Sequence, residues 1–158
     1  MAAAERTTER VGERTSVLFL CTGNSCRSQM AEGWARALKS DSIDVYSGGT
    51  DPHVMNRLAI EAMREVGVDM TSHTSKHPDE IGVVFDVVVT VCDSANETCP
   101  VFPGGARVVH QGFDDPPKLA ADAADDDEAL PHYRRVRDEI RAYIETLPDA
   151  LKQPKQTT

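Results

Sequence analysis

A chain of 158 residues with 17 Lys and Arg against 26 Asp and Glu, for a formal net charge of -9, fits one domain whose core needs neither disulfides nor metal. That charge repels the phosphate backbone of nucleic acid and acidic membrane surfaces, so neither is an expected partner. No run approaches the roughly 18 apolar residues of a membrane helix, the start MAAAERTTERVGERT has no apolar leader, and a cytoplasmic protein is expected.

Residues 1–14 are charged and aperiodic and read as a flexible tail, as do residues 151–158; a single α/β domain is expected over 15–150. The first apolar run, Val17 to Leu20, predicts a buried strand with Cys21 at its carboxyl end. A helix follows from near Ser28, with Met30, Ala31, Trp34, Ala35 and Leu38 on its apolar face. A shorter buried strand is predicted over Asp44 to Ser47, then a helix carrying Leu58, Ala62, Met63 and Val66 that stops at Gly67. Buried strands are expected at Asp86 to Val91 and Arg107 to His110, and the last helix lies within Asp126 to Leu147. Its acidic approach, DAADDDEA, reads as a helix start and solvated face, because acids suit the positive end of the helix dipole. Strands alternating with helices imply a three-layer α/β/α fold on a four-stranded parallel sheet, with ligands at the carboxyl ends of the strands.

The turn CTGNSCRS, Cys21 to Ser28, sits at such an end and opens a helix, which is the placement of an anion site. Gly23 and Asn24 tolerate unusual backbone angles, so the N–H groups of Thr22, Gly23, Asn24, Ser25, Cys26, Arg27 and Ser28 can turn inward around an oxyanion. Arg27 can close over the same anion through two parallel N–H bonds. A thiol beside an arginine at a helix N-terminus is expected to have a lowered pKa, which makes Cys21 the candidate nucleophile, with Ser28 donating to it. Cys26 is expected to offer its N–H and leave its thiol a bystander.

This loop, and CTGNSCRSQMAEGW in particular, resembles the signature of low-molecular-weight protein tyrosine phosphatases and, more closely, of the thioredoxin-coupled arsenate reductases that share their fold. The similarity runs from about Val17 to Leu147. It implies a low-molecular-weight phosphatase-like domain in which an Asp-Pro loop delivers a general acid; in GFDDPPK that residue is Asp115, with Asp114 the alternative. Pro117 and Lys118 stand where such phosphatases usually carry aromatics, which counts against a phosphatase. VCDSANETC sets Cys92 and Cys99 seven positions apart, and two further thiols are what a reduction needs: one displaces the product, the other resolves the disulfide. The resemblance therefore implies arsenate as substrate, catalysis by Cys21, Arg27, Cys92, Cys99 and Asp115, and thioredoxin as reductant.

A helix over Cys92 to Cys99 would hold their Cα atoms roughly 10 Å apart, beyond the roughly 7 Å a disulfide tolerates, so this segment is expected to change shape on oxidation. A phosphatase and a redox-sensing oxyanion-binding module remain the alternatives. No tightly bound cofactor and no metal are expected, since C-x4-C and C-x6-C are not zinc pairs and His53, His73, His77, His110 and His132 show no ligand spacing. Some relatives bind potassium near the loop. Asn24, Glu32 and Ser47 match that site, but Lys76 replaces its acid and is expected to supply the charge instead, with no potassium requirement. A monomer is expected.

Overall fold

The computed structural model describes residues 14–92 and 104–152. In chain order these form β1 (Thr15–Cys21), α1 (Arg27–Lys39), β2 (Ile43–Gly49), α2 (Arg57–Arg64), a 3-10 turn (Pro78–Glu80), β3 (Val87–Thr90), β4 (Arg107–His110), α3 (Pro116–Leu119), α4 (Asp126–Glu145) and α5 (Asp149–Lys152). Cys99, the segment expected to rearrange with it, and most of both expected tails lie outside the described residues. Arg14 is bonded to Asp44, and Leu151 is buried.

The four strands make one parallel sheet in the order β2-β1-β3-β4, flanked by helices, the α/β architecture expected. Val17 to Leu20 of β1 and Val87 to Thr90 of β3 are buried at every position, because central strands of a parallel sheet are covered on both faces. The edges differ. β2 alternates buried and half-buried over Ile43 to Tyr46, and β4 is half-buried throughout, which corrects the expectation of a fourth fully buried strand. β2 also runs past the expected Ser47, since Gly48 and Gly49 continue the ladder opposite Leu20 and Cys21.

Helix α1 packs on β1 and β2 and against α4, and α4 also receives α2 and α3. Its buried stripe includes Met30, Ala31, Trp34 and Ala35; Leu38, expected on that face, lies in the last turn and is 37 % exposed. In α2 the buried residues are Ala59, Ala62 and Met63. Val66 falls beyond the helix end, where Gly67 takes a positive φ that a side chain would resist. The acidic run is a helix start, as expected: Asp125 accepts from the Glu128 N–H, and Asp126, Asp127 and Glu128 fill the first turn of α4.

Two polar ties fix α4 over the sheet. Trp34 donates its indole N–H to the Arg137 carbonyl at 3.0 Å, and the buried Arg137 guanidinium donates to the Ala62 carbonyl at 3.0 Å and to Glu65 at 3.1 Å. Around them Val136, Ile140 and Ile144 are fully buried. Replacing Ile140 with Ala is expected to cost about 3 kcal/mol through lost burial and a residual cavity, or roughly 10 °C in Tm. Thermal denaturation measures it, and an unchanged midpoint would remove Ile140 from the core.

Candidate active site

Register brings the expected thiols to one edge. Leu20 pairs with Thr90 across β1 and β3, and Val91 donates to the Leu20 carbonyl at 2.9 Å, so Thr22 and Cys92 come level just beyond the sheet. There the Thr22 hydroxyl and the Cys92 sulfur lie 3.6 Å apart. Phe113 in turn donates to the Val91 carbonyl at 3.1 Å, which carries the chain after β4 to the same place. The result is a cleft of about 770 Å³ lined by Thr22, Arg27, Cys92, Phe113, Asp114, Asp115, Lys118 and Leu119.

The loop from Cys21 to Arg27 turns on Asn24, a non-glycine residue at φ 49 and fully buried. Asparagine is among the few L-residues that visit this region readily, and here every polar group of its side chain is used. Its Nδ2 donates to Ser28 Oγ at 2.8 Å and Ser47 Oγ at 3.0 Å, while Oδ1 accepts from Gln29 at 3.1 Å and from the Lys76 N–H at 2.9 Å. From outside, residues 50–56 strap the loop: Thr50, Asp51, His53 and Asn56 donate to the carbonyls of Cys21, Thr22, Gly23 and Ser25. Gly49 is needed for this approach, because a Cβ there would stand 2.5 Å from the Thr22 carbonyl oxygen.

Helix α1 begins at Cys26 with no side-chain cap and no acid in its first turn. By contrast α2 is capped by Asn56 and α4 by Asp125. The first N–H groups of α1 therefore keep their capacity for an anion.

Cys21 is buried, accepts the Asn24 N–H at 3.2 Å, and lies 2.9 Å from Ser28 Oγ. Asn24 Nδ2 donates to that hydroxyl, which leaves the Ser28 proton free to be donated to the sulfur. Burial nonetheless pushes the Cys21 thiol above its ordinary value, opposed by the hydrogen bonds from Ser28 and from Asn24. This corrects the expected lowering: desolvation of the sulfur outweighs the donors around it. Burial, reinforced by the charges of Cys21 and Asp115, also pushes the Cys26 thiol well up. Cys26 thus stays protonated at neutral pH, which suits a bystander.

Arg27 reaches across the cleft, donating to the Phe113 carbonyl at 2.9 Å and standing 3.7 Å from Asp115. The two adjacent acids separate here. Asp114 pairs with Arg135 at 3.0 Å, whereas Asp115, the N-cap position of α3, makes no side-chain capping bond and faces the cleft.

Sequence reasoning missed the supports. Gln29 is fully buried and donates to the Asn24 carbonyl at 3.1 Å and the Thr74 carbonyl at 3.0 Å; its own oxygen lies 2.9 Å from His73 Nδ1. Burial holds that imidazole below its ordinary pKa. Lys76 is also placed differently from expectation, since its ammonium donates to the Thr74 carbonyl at 2.6 Å. The cation on Glu32 is Arg36, at 2.8 Å, while the other Glu32 oxygen accepts from Ser47. The four-residue spacing of Glu32 and Arg36 along a helix was the available signal. Among the described residues no group of His, Cys, Asp or Glu is arranged to hold a metal ion, and no helix is long and apolar enough to cross a membrane.

A strand-borne thiol inside an uncapped helix-opening loop, faced by an arginine and an acid, defines a cysteine-based oxyanion enzyme fold. Residues 16–157 match the low molecular weight phosphotyrosine protein phosphatase family, and the chain belongs to it. It is 44% identical over 135 residues to "Arsenate reductase 2" of Staphylococcus epidermidis, covering 85% of this chain and 96% of that protein. It is 46% identical over 137 residues to an arsenate reductase of Halalkalibacterium halodurans, covering 86% of this chain and 96% of the relative. Among solved structures it resembles an arsenate reductase in the phosphate binding state, with a TM-score of 0.67 and 30% identity over 87% of this chain and 99% of that one.

Two outcomes follow from this geometry. Ser28→Ala removes the side-chain bond that lowers the Cys21 pKa, so its thiolate forms at higher pH; a charge-assisted bond of about 1.5 kcal/mol corresponds to roughly tenfold slower alkylation near neutral pH. Iodoacetamide labelling of Cys21, followed by peptide mapping across pH, reads this, and an unmoved profile would show that Ser28 does not act on the sulfur. Tyr143 packs edge-on to Phe113 at 6.1 Å, and its buried hydroxyl has no hydrogen-bond partner among the described residues. Tyr143→Phe keeps the ring contact and is expected to stabilise the fold by about 1 kcal/mol, measured by urea denaturation; destabilisation would mean that the hydroxyl is satisfied in solution.

Proposed function

We infer that the chain is an arsenate reductase that passes two electrons from its own thiols to arsenic. The observation that carries this reading is Cys92, a second thiol in the cleft that holds Arg27 and Asp115, beside the loop of Cys21. Hydrolysis of a phosphoester has no use for it. In the proposed cycle the loop N–H groups from Thr22 to Ser28 and the Arg27 guanidinium hold arsenate. The Cys21 thiolate attacks arsenic, and Asp115 protonates the departing oxygen, which leaves as water. Asp115 suits this role because Asp114 is engaged by Arg135.

Cys92 then attacks the Cys21 sulfur. The sulfur–arsenic bond breaks with its electron pair remaining on arsenic, which leaves as arsenite, and a Cys21–Cys92 disulfide remains. Cys99 attacks Cys92, returning Cys21 to the thiol and leaving a Cys92–Cys99 disulfide. A dithiol partner reduces that bond; thioredoxin in a reducing cytoplasm is the partner we propose, with the chain acting as a monomer and without a tightly bound cofactor or potassium.

Cys92→Ser is expected to abolish multiple turnovers of arsenate, followed as NADPH consumption with thioredoxin and its reductase, while binding of inorganic phosphate stays within about twofold. Slow hydrolysis of an aryl phosphate by Cys21, Arg27 and Asp115 should also survive. Sustained arsenate turnover by this variant would overturn the three-thiol relay; efficient aryl phosphate hydrolysis without any arsenate turnover by the unsubstituted protein would favour a phosphatase.

A further inference from the structure

We propose that Lys118 recruits the oxyanion: its ammonium, swinging in the cleft mouth, offsets the carboxylates there and sets the affinity for a doubly charged inorganic substrate. This inference rests on the reading of the cleft as an oxyanion site. The charged residues lining the cleft are Arg27 and Lys118 against Asp114 and Asp115. Asp114 is paired with Arg135 and Arg27 stands beside Asp115, so Lys118 is the one cation of that lining not committed to a carboxylate. The whole chain, these residues included, carries a formal charge of -9. Without Lys118, a dianion approaching against that overall field would meet no uncommitted cation in the cleft lining.

The cations differ in their commitments. Arg27 donates to the Phe113 carbonyl and stands 3.7 Å from Asp115. The Lys118 side chain makes no hydrogen bond or ion pair among the described residues, and the residue is exposed. Its position is nevertheless fixed. Asp115 is the N-cap of α3, Pro116 and Pro117 fix the backbone at its first two positions, and Lys118 is the third helical residue. N-cap and third positions share a face, which is why capping boxes form between them. The short helix thus presents an acid and a cation side by side to the cleft. An ammonium on a flexible stem suits recruitment, because it can follow an anion inward without holding one geometry. Its exposure means that salt screens the effect.

The test compares the unsubstituted full chain with Lys118→Gln, Lys118→Glu and Lys118→Arg, using arsenate turnover and calorimetric binding of inorganic phosphate. At about 10 mM ionic strength, where the screening length is near 30 Å, Lys118→Gln is expected to raise both KM and the phosphate Kd about fivefold, the scale of one charge acting on a dianion several ångströms away in water. Lys118→Glu should raise them further and Lys118→Arg should restore them, with kcat within about twofold throughout. The differences should shrink at about 0.5 M salt, where screening is near its short-range limit. Equal KM and phosphate Kd in all four proteins at low salt, or a fall in kcat at constant KM, would overturn the proposal. If the unsubstituted protein binds phosphate but does not reduce arsenate, the functional reading fails, and the phosphate affinities alone still decide the role of Lys118.

Discussion

The site depends on one backbone conformation, the left-handed turn at Asn24. A loop joining a strand to a helix can direct its N–H groups inward only if one residue adopts such angles, and glycine would do so at less strain. Asparagine adds what glycine lacks, an amide that meets Ser28, Ser47, Gln29 and Lys76 at once. The same side chain therefore sets the curvature of the loop and holds the hydroxyl that lies 2.9 Å from the Cys21 sulfur. Gly49 and the strap of residues 50–56 hold the loop from the other side. A buried polar network of this kind is stable only when every member is satisfied, and this one is extended outward by Ser47, Glu32 and Arg36 until it reaches a partly exposed guanidinium.

That network also explains the balance at the nucleophile. Burial and hydrogen bonding act on Cys21 in opposite directions, and burial is the larger. The donors around it favour negative charge whenever it forms. Cys26, a few residues along, has the burial without comparable hydrogen bonds and is held protonated more strongly. Two cysteines in one loop thus have different chemistry because of what touches their sulfurs, not because of their spacing.

Much of this was legible in the sequence, and what was not has a common cause. Uninterrupted apolar runs at Val17 and Val87 marked the central strands, because burial on both faces leaves no polar alternation. The edge strand at Arg107 was read as buried since Val108 and Val109 are apolar, but being apolar does not tell a strand whether it has one neighbour or two. The loop was readable because each residue type in CTGNSCRS has a local reason to be there. Gln29 and His73 were not, because their roles depend on a contact between segments 44 positions apart. Lys76 differs for another reason: its position in the chain gave its charge, while a local bond to the Thr74 carbonyl, two residues away, sets the direction of its side chain. Asp114 and Asp115 were separable only once α4 brought Arg135 to one of them.

The order β2-β1-β3-β4 has a consequence for how the thiols meet. Cys21 and Cys92 leave adjacent strands one residue out of register, and neighbouring strands run about 4.8 Å apart. Disulfides bridge Cα atoms separated by roughly 4.4 to 6.8 Å. The scaffold therefore already stands near the span of the first bond in the proposed relay, and forming it would ask for little reorganisation of the core. Such an exchange is governed by sulfur chemistry and by access, not by chain diffusion. A sheet that brings two strand ends together in this way acts as a template, which leaves the chemistry of the sulfurs, not a search by the chain, to set the tempo of that exchange.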